Sequence, residues 1–341
     1  MAERNKKMNT HNRKNDRSLV IKMVVIKNYI LGWKEYFRYL PLVIFGIIAI
    51  ILGFVVPHFL TTRNIINILK QSSALGLMTI GITVVMITGG IDLSIPSVMA
   101  LGGILGAMYM RAGGNPIFGG LIMIAVCTSL SVVNGYAITY LRMVPFVVTL
   151  SMMYIATGAS VWLTREVSIA GLPPQFIDGV MGKIGGIPVV VLFLTLMTFL
   201  VLIFMRNSIY GRWLYAVGSN SEVARLFGIP KDKIIFGAYI CSGFFAGLAA
   251  IVTTARLASA SATMGSEGIV LNVIGAAVIG GVSIYGAEGN VLGAVVGAVF
   301  IIMIENVMNM MRISYYMSLL AKGILIVSVI AFDTWRRKQI Y

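Results

Sequence analysis

Polar side chains that lie inside long apolar runs are the first candidates for chemistry in this sequence. Gln71 and Ser72 open one such run, and Thr83 lies near its end. Polar groups are costly inside a membrane helix, so each of them needs a hydrogen-bond partner. Two interpretations of Gln71 and Ser72 stay open, because they could bind a polar solute in a passage or bond neighbouring helices. Thr83 has a further alternative, since a threonine can bond the backbone of its own helix.

The most distinctive local string is Gly89-Gly90-Ile91-Asp92-Leu93-Ser94. Two adjacent glycines permit an irregular turn, and Asp and Ser are residue types that cap helix N-termini. The string therefore predicts a turn in which Asp92 and Ser94 cap the following helix. A sharper alternative gives Asp92 a role in an ion or proton relay, because intramembrane carboxylates are typical components of such relays.

The patterns that catalysis or metal binding requires do not occur in the sequence. Gly182-Lys183 is followed by Ile184, so the chain has no GxxxxGK[ST] phosphate loop. There is no Ser/His/Asp or HExxH constellation, and Cys127 and Cys241 lie in separate runs without a CxxC pair. We therefore predict that the chain is not an enzyme, holds no metal or cofactor, and does not itself hydrolyse ATP.

The elements that position these polar groups are predicted to be membrane helices. Of the 341 residues, 58% are hydrophobic and 11% are charged, whereas a soluble domain carries about 25% charged residues. Apolar runs of about 17–25 residues predict spanning helices. Ten such runs lie at 40–56, 68–88, 94–110, 118–140, 144–163, 188–205, 234–255, 268–284, 289–308 and 315–332. The predicted fold is all-α, with about ten transmembrane helices within residues 40–335. The short runs 94–110 and 268–284 are candidates for broken or re-entrant segments.

Positive charge is concentrated on one side of the predicted membrane. With the N-terminus inside, the cytoplasmic segments hold 19 Lys and Arg residues and the outer loops hold six. This bias predicts that both termini are cytoplasmic. Residues 1–39 form a basic tail, in which a charged and an aromatic face over 24–40 favour an amphipathic helix on the inner membrane surface. A cytoplasmic extension of the first span fits these residues nearly as well.

The long inner loop, residues 206–233, has features of a docking surface. Asn220 or Ser221 can cap a short helix that ends at Gly228, and Pro230 prevents its continuation. Such a helix between two spans would offer a surface to a cytoplasmic partner. The alternative is an ordinary solvated connection.

Two glycine pairs suggest an internal repeat. An ungapped shift of 191 residues aligns Gly89-Gly90 with Gly280-Gly281 and Gly106-Ala107 with Gly297-Ala298. Internal repeats are common in transporters. Small residues placed four apart for helix packing explain the match equally well.

Several blocks occur in order from residue 64 to the C-terminus. They are Gln71 with Gly89-Gly90-Ile91-Asp92-Leu93-Ser94, Asn134-Gly135, Val144-Pro145-Phe146-Val147-Val148-Thr149-Leu150, the inner loop, Ala276-Ala277-Val278-Ile279-Gly280-Gly281, and Tyr315-Tyr316 with Lys322-Gly323. Together they resemble permeases of bacterial ATP-binding-cassette (ABC) importers for monosaccharides, the ribose, xylose and galactose type that includes autoinducer-2 permeases.

The resemblance implies a type II-like importer permease that works by alternating access in the bacterial plasma (inner) membrane. Its implied partners are a sugar-type ATPase, a periplasmic or lipid-anchored binding protein, and a second permease copy or paralogue, with ATP bound by the ATPase and no nucleic acid involved. With the resemblance, the polar residues predict a substrate pathway formed by Gln71, Ser72, Thr83, Asp92, Ser94, Thr149, Asn272, Asn306 and Tyr316. The residues predicted to couple to the ATPase are Gly211, Arg212, Gly218, Asn220, Glu222, Ala224, Arg225, Gly228 and Ile229.

The sequence departs from the family pattern at Pro96, Asn272 and Met317. A hexose, a pentose, autoinducer-2 and a related polyol therefore all stay open as the solute. The alternative function is a secondary transporter of a small polar solute driven by an ion gradient, which would need buried carboxylates. The acids near the predicted spans, most of them at span ends, are Asp92, Glu267, Glu288 and Glu305.

Overall fold

The computed structural model describes residues 46–48 and 50–340, which form α-helices joined by turns and two very short strand pairs. The basic tail and its predicted amphipathic helix lie outside the described residues. The helices are α1 (Gly46–Val55), α2 (Thr62–Ile87), α3 (Ile95–Arg111), α4 (Pro116–Thr139), α5 (Pro145–Thr164), α6 (Pro174–Met181), α7 (Val189–Asn207), α8 (Ile209–Ser219), α9 (Ser221–Leu226), α10 (Lys231–Leu257), α11 (Glu267–Ile279), α12 (Val291–Met310) and α13 (Tyr315–Ile340). The strands are β1 (Ile169–Ala170), β2 (Lys183–Ile184), β3 (Ile187–Pro188) and β4 (Ser259–Ala260).

Seven segments of the described part are long and apolar enough to cross a membrane. They are α2, α4, α5, α7, α10, α12 and Ala262–Ile279, which contains a 3-10 turn and α11. They confirm the prediction of an all-α polytopic membrane protein. α3 is a continuous helix of 17 residues, about 25 Å long, and α1 is also short. The count of ten spans and the re-entrant character of the short runs stay predictions.

The predicted run 268–284 is wrong at its C-terminal end. α11 stops at Ile279, and residues 280–290 form a turn before α12. The stop is local, because Gly281 adopts a φ of +85°, a left-handed conformation that ends a helix and that glycine adopts without strain. An apolar run therefore continues through a turn that hydropathy alone does not show.

The loop 164–187, which the charge bias predicts to lie outside the membrane, is structured and contacts the helix bundle. β1 pairs antiparallel with β4, so that Ile169 lies opposite Ala260. α6 follows, and β2 and β3 form a hairpin through Gly185 and Gly186, both with positive φ. The pairing of β1 with β4 thus joins this loop to the connection that follows α10.

The core is built around α2 and α10, which pack against each other and contact α12 and α4, respectively. Glycines let these helices approach closely. A Cβ at Gly81 of α2 would stand 3.1 Å from Ser242 Cα, and one at Gly247 of α10 would stand 2.5 Å from Ile124 Cα. Close backbone approach of this kind drives helix association in membranes, where lipid supplies no hydrophobic force between helices.

The turns after α2 and α11 close in the same way. Gly90 N–H donates to Val85 O at 3.2 Å, and Val282 N–H donates to Ala277 O at 2.9 Å. Each bond spans five residues and follows a left-handed glycine, as in a Schellman motif. The equivalent glycines are Gly89 and Gly281, whose φ values are +82° and +85°. The ungapped alignment is therefore out of register by one residue at this point.

Candidate solute passage and inner coupling loop

A buried polar cluster joins the α2–α3 turn to α4 and α10. Asp92 Oδ1 accepts hydrogen bonds from the Ser94 amide at 3.0 Å and from Ser94 Oγ at 2.6 Å. Asp92 Oδ2 accepts from Ser242 Oγ of α10 at 2.8 Å. Asn134 Nδ2 of α4 donates to Ser94 Oγ at 2.9 Å. Asp92, Ser94, Asn134 and Ser242 are all at most 1% exposed, so this cluster holds three elements together without contact with solvent.

The capping prediction for Asp92 and Ser94 needs a correction. Ser94 is the residue before α3, but its side chain makes no capping hydrogen bond to the helix. Its hydroxyl instead donates to Asp92 and accepts from Asn134. Asp92 closes the turn by bonding the Ser94 amide, two residues along the chain. The turn is therefore stabilised by the local bonds between Asp92 and Ser94 and by tertiary hydrogen bonds from Asn134 and Ser242, which the local capping pattern does not reveal.

A second polar group links the N-terminal end of α2 to the C-terminal end of α12. Asn64 Nδ2 donates to Asn306 Oδ1 at 2.9 Å, and Asn306 Nδ2 donates to Asn64 Oδ1 at 2.8 Å. The two amides satisfy each other reciprocally, which suits a partly buried site between helices. Asn306, a predicted pathway residue, thus has a protein partner that the sequence did not identify.

A third polar group lies beside it and contains an ion pair. Lys322 Nζ of α13 forms a salt bridge with Glu305 Oε1 of α12, and the two side chains are 18% and 22% exposed. Asn272 Nδ2 of α11 donates to the same oxygen at 2.8 Å. Asn272, a second predicted pathway residue, therefore contributes to a charged cluster rather than to a purely neutral surface.

The other predicted pathway residues are dispersed. Ser72 and Thr83 are buried and donate to carbonyls of their own helix, Ile68 O at 2.7 Å and Thr79 O at 2.6 Å. Thr149 likewise donates to Pro145 O at 2.9 Å. Gln71 is half-buried, and Tyr316 is 77% exposed. Their part in a passage stays a prediction.

Within the part of the chain that the structure describes, His, Cys, Asp and Glu side chains form no group of three that could hold a metal ion.

The inner loop contains the predicted short helix. α9 begins after Asn220, whose side-chain oxygen accepts from the Glu222 and Val223 amides at 3.1 and 3.0 Å. It ends before Gly228, which has a φ of +79°. The predicted cap and stop are both confirmed. The sequence interpretation missed α8, which begins at Ile209 and is capped by Ser208, whose hydroxyl accepts from the Gly211 amide.

Charged and apolar side chains of α9 are exposed. Glu222 forms ion pairs with Arg225 and with Lys231 at the start of α10. The hydrogen bond and the charge of Lys231 lower the pKa of Glu222 below its usual range. Leu226 and Phe227 are each 83% exposed. A pair of large apolar side chains beside charged groups is typical of a surface that contacts another protein.

The predicted coupling residues face two directions. Gly211, Gly218, Ala224 and, in part, Ile229 lie against the protein. Arg212, Asn220, Glu222, Arg225 and Gly228 are exposed. The loop therefore has one exposed face that is available to a partner and one face that packs against the helix bundle.

The apolar helices and the buried polar clusters between them define a polytopic membrane protein. A family model described as "Branched-chain amino acid transport system / permease component" matches residues 64–330. The chain belongs to this family of permease components.

Individual relatives agree with this assignment. The chain is 34% identical to the D-allose transport system permease protein of Escherichia coli, over 90% of this chain and 93% of that protein. It is 32% identical to the ribose import permease protein of Bacillus subtilis, over 84% of this chain and 89% of that protein. It is 33% identical to a probable ABC transporter permease protein of Sinorhizobium fredii, over 86% and 88%. No solved structure matches the chain. The resemblance to sugar-type ABC importer permeases is confirmed.

Proposed function

We propose that the chain is the membrane-spanning subunit of an ATP-driven importer and moves a monosaccharide across the bacterial inner membrane by alternating access. The observation that carries this proposal is the similarity to ribose and allose permeases, which extends over 84% and 90% of the chain. Similarity over nearly the whole membrane domain supports a shared transport role more strongly than a shared fold alone.

ATP hydrolysis is assigned to a separate ATPase that docks on α9. Leu226 and Phe227 supply apolar anchors at the exposed end of this helix, and Glu222 and Arg225 supply charge beside them. Exposed aromatic residues of this kind often carry much of the binding free energy of an interface. The caps at Asn220 and Gly228 fix the helix, so that the anchors are presented in one orientation.

The docking surface can be tested with two exposed phenylalanines. Phe227 lies in the inner loop, whereas Phe199 is 59% exposed on the apolar helix α7. Phe227→Ala should weaken co-purification of the ATPase by roughly tenfold or more. Phe199→Ala should leave it unchanged. Equal retention of the ATPase by the Phe227→Ala protein and the wild type would remove α9 from the interface.

The acids of the described membrane region give little support to an ion-driven mechanism. Asp92 is enclosed by hydrogen bonds from Ser94 and Ser242, and Glu305 is paired with Lys322. A carboxylate that binds a driving ion must be able to exchange its partners during the cycle. The secondary transporter is therefore the weaker candidate.

Proteoliposomes distinguish the two mechanisms. The purified chain alone, given a proton or sodium gradient, should take up no radiolabelled ribose, allose or arabinose. Addition of the ATPase, the binding protein and ATP should start uptake of at least one of these sugars. Gradient-driven uptake by the chain alone would overturn the proposal and support the secondary transporter.

The remaining features of the proposal concern assembly and orientation. Two permease subunits would form the passage, a periplasmic or lipid-anchored binding protein would deliver the sugar to the outer loops, and both termini would be cytoplasmic. The excess of Lys and Arg in the tail, the inner loop and the C-terminal end supports this orientation.

A further inference from the structure

The inner ends of three helical elements meet at one backbone contact. Ile87 O, at the end of α2, accepts a hydrogen bond at 3.0 Å from the amide of Ala287, which lies in the α11–α12 turn. Gly218 of α8 lies against both groups, since a Cβ there would stand 1.9 Å from Ile87 O and 2.8 Å from Ala287 N. Tyr215 of α8 donates to Gly289 O of the same turn at 2.9 Å. These five residues are named the inner junction.

The contact at Gly218 leaves no space for any side chain. A separation of 1.9 Å between carbon and oxygen is far below van der Waals contact, and the obstructing atom belongs to the backbone of a long helix. Gly286 is similarly close, because a Cβ there would stand 3.0 Å from Gly218 O and from Gly89 N. α8 is therefore held directly against the backbones of α2 and of the α11–α12 turn, without flexible side chains between them.

The turn at the junction is continuous with a tightly packed helix pair. A Cβ at Gly280 would stand 2.3 Å from Gly293 O, and one at Gly297 would stand 2.0 Å from Ala276 O. α11 and α12 consequently have no loose layer of side chains at this contact and should move together, because close-packed interiors transmit displacement.

The elements joined at the junction also carry polar groups of the outer side. α2 carries Asn64, α11 carries Asn272, and α12 carries Glu305 and Asn306. α2 has 26 residues and is about 39 Å long. A displacement of the C-terminal end of α2 is therefore transmitted along one rigid helix to Asn64 and its partner Asn306.

We propose that Gly218 and Tyr215 are positioning residues of the transport cycle. Through them, α8 moves α2 and the α11–α12 pair together when the ATPase displaces α9. This inference rests on the proposed function, and it adds a defined mechanical route between the inner loop and the passage. Gly218 acts by allowing backbone contact, and Tyr215 acts by holding the α11–α12 turn.

The test compares two helical glycines at the inner side. Gly218→Ala places a methyl group in the junction, whereas Gly237→Ala in α10 meets nothing within 4 Å. Each variant is reconstituted with the ATPase and the binding protein, and sugar uptake and ATP hydrolysis are measured in the same vesicles. Gly218→Ala should retain the ATPase but lower the uptake per ATP hydrolysed by roughly two- to thirtyfold. Gly237→Ala should match the wild type.

A second variant covers the case in which Gly218→Ala fails to fold. Tyr215→Phe removes the hydroxyl bonded to Gly289 O without adding volume, and it should lower the same ratio by an amount near the bottom of that range. An unchanged ratio in the folded variants would overturn the inference. Loss of ATPase binding would also overturn it, because α8 would then only support the docking surface. Failure of the wild type to transport with ATP would instead contradict the proposed function.

Discussion

From the ion pair between Glu305 and Lys322 we predict how much each charge contributes to the free energy of unfolding of the protein. A surface ion pair contributes about 0–1 kcal/mol, whereas removal of one partner of a buried pair costs about 3–5 kcal/mol because the other charge is left unpaired. The side chains are 18% and 22% exposed, which places the pair nearer the buried limit. Glu305→Gln should therefore lower the free energy of unfolding by about 2–3 kcal/mol.

A variant with both charges removed distinguishes the energy of the ion pair from the energy of side-chain packing. Glu305→Gln combined with Lys322→Met removes both charges, so neither is left without a partner, and the total loss should be only about 1 kcal/mol. The amide oxygen introduced by Glu305→Gln can still accept from Asn272. Lys183→Met, at an exposed position of the outer loop, serves as the control and should change stability by less than about 0.5 kcal/mol.

The assay is reversible unfolding in detergent micelles, with a double-mutant cycle over the two positions. The coupling energy should be about 2 kcal/mol or more. Single effects that add to the double effect within about 0.5 kcal/mol would refute the reasoning, since they would mean that the two charges do not stabilise each other in the membrane.

Three further predictions concern other parts of the chain. Because Lys231 lowers the pKa of Glu222, the ion pair between them should persist above pH 4.5, the ordinary pKa of a glutamate, and should be lost as the pH falls below that value. Hydrogen exchange of α9, corrected for intrinsic rates, should therefore rise below pH 4.5. Glu222→Gln should abolish this rise. Asp92→Ala should lower the free energy of unfolding by about 2–4 kcal/mol, because three buried donors lose their acceptor; a loss below about 1 kcal/mol in the same micelle assay would contradict the cluster's structural role. A reporter active only outside the membrane, fused after Tyr341, should be silent, and strong activity in a full-length fusion would argue against a cytoplasmic C-terminus.

Local features of the fold could be predicted from the sequence. The apolar runs gave the helices, because a membrane helix must satisfy its backbone internally over a length set by the bilayer. The inner-loop helix α9 was predicted with its start and stop, since Asn220 and Gly228 act through contacts within a few residues. Where the determinant is local, residue type and spacing are sufficient.

Contacts between residues that are distant in the chain could not be predicted from the sequence. Asn64 and Asn306 lie 242 residues apart, and no local pattern indicates that their amides meet. Glu305 and Lys322 could have been suspected as opposite charges in adjacent predicted spans, but their pairing depends on the rotation of both helices. Gly218 was predicted to couple to the ATPase from its place in the inner loop, and the sequence did not show that it lies against Ile87 of the same chain; its part in coupling stays a prediction. Which neighbours a residue on a helix meets is decided by how the helices pack.

The close contact between α11 and α12 has a consequence for biogenesis. α11 contributes 13 residues to the 18-residue segment Ala262–Ile279, and by itself it is about 20 Å long, which is less than the hydrocarbon thickness of about 30 Å. α11 by itself gains little by entering lipid without a partner, whereas the close contact at Gly280 and Gly297 packs it against α12 within the protein. We expect the nascent chain to keep α11 at the translocon until α12 has been synthesised, so that the two helices partition into the bilayer as one hairpin.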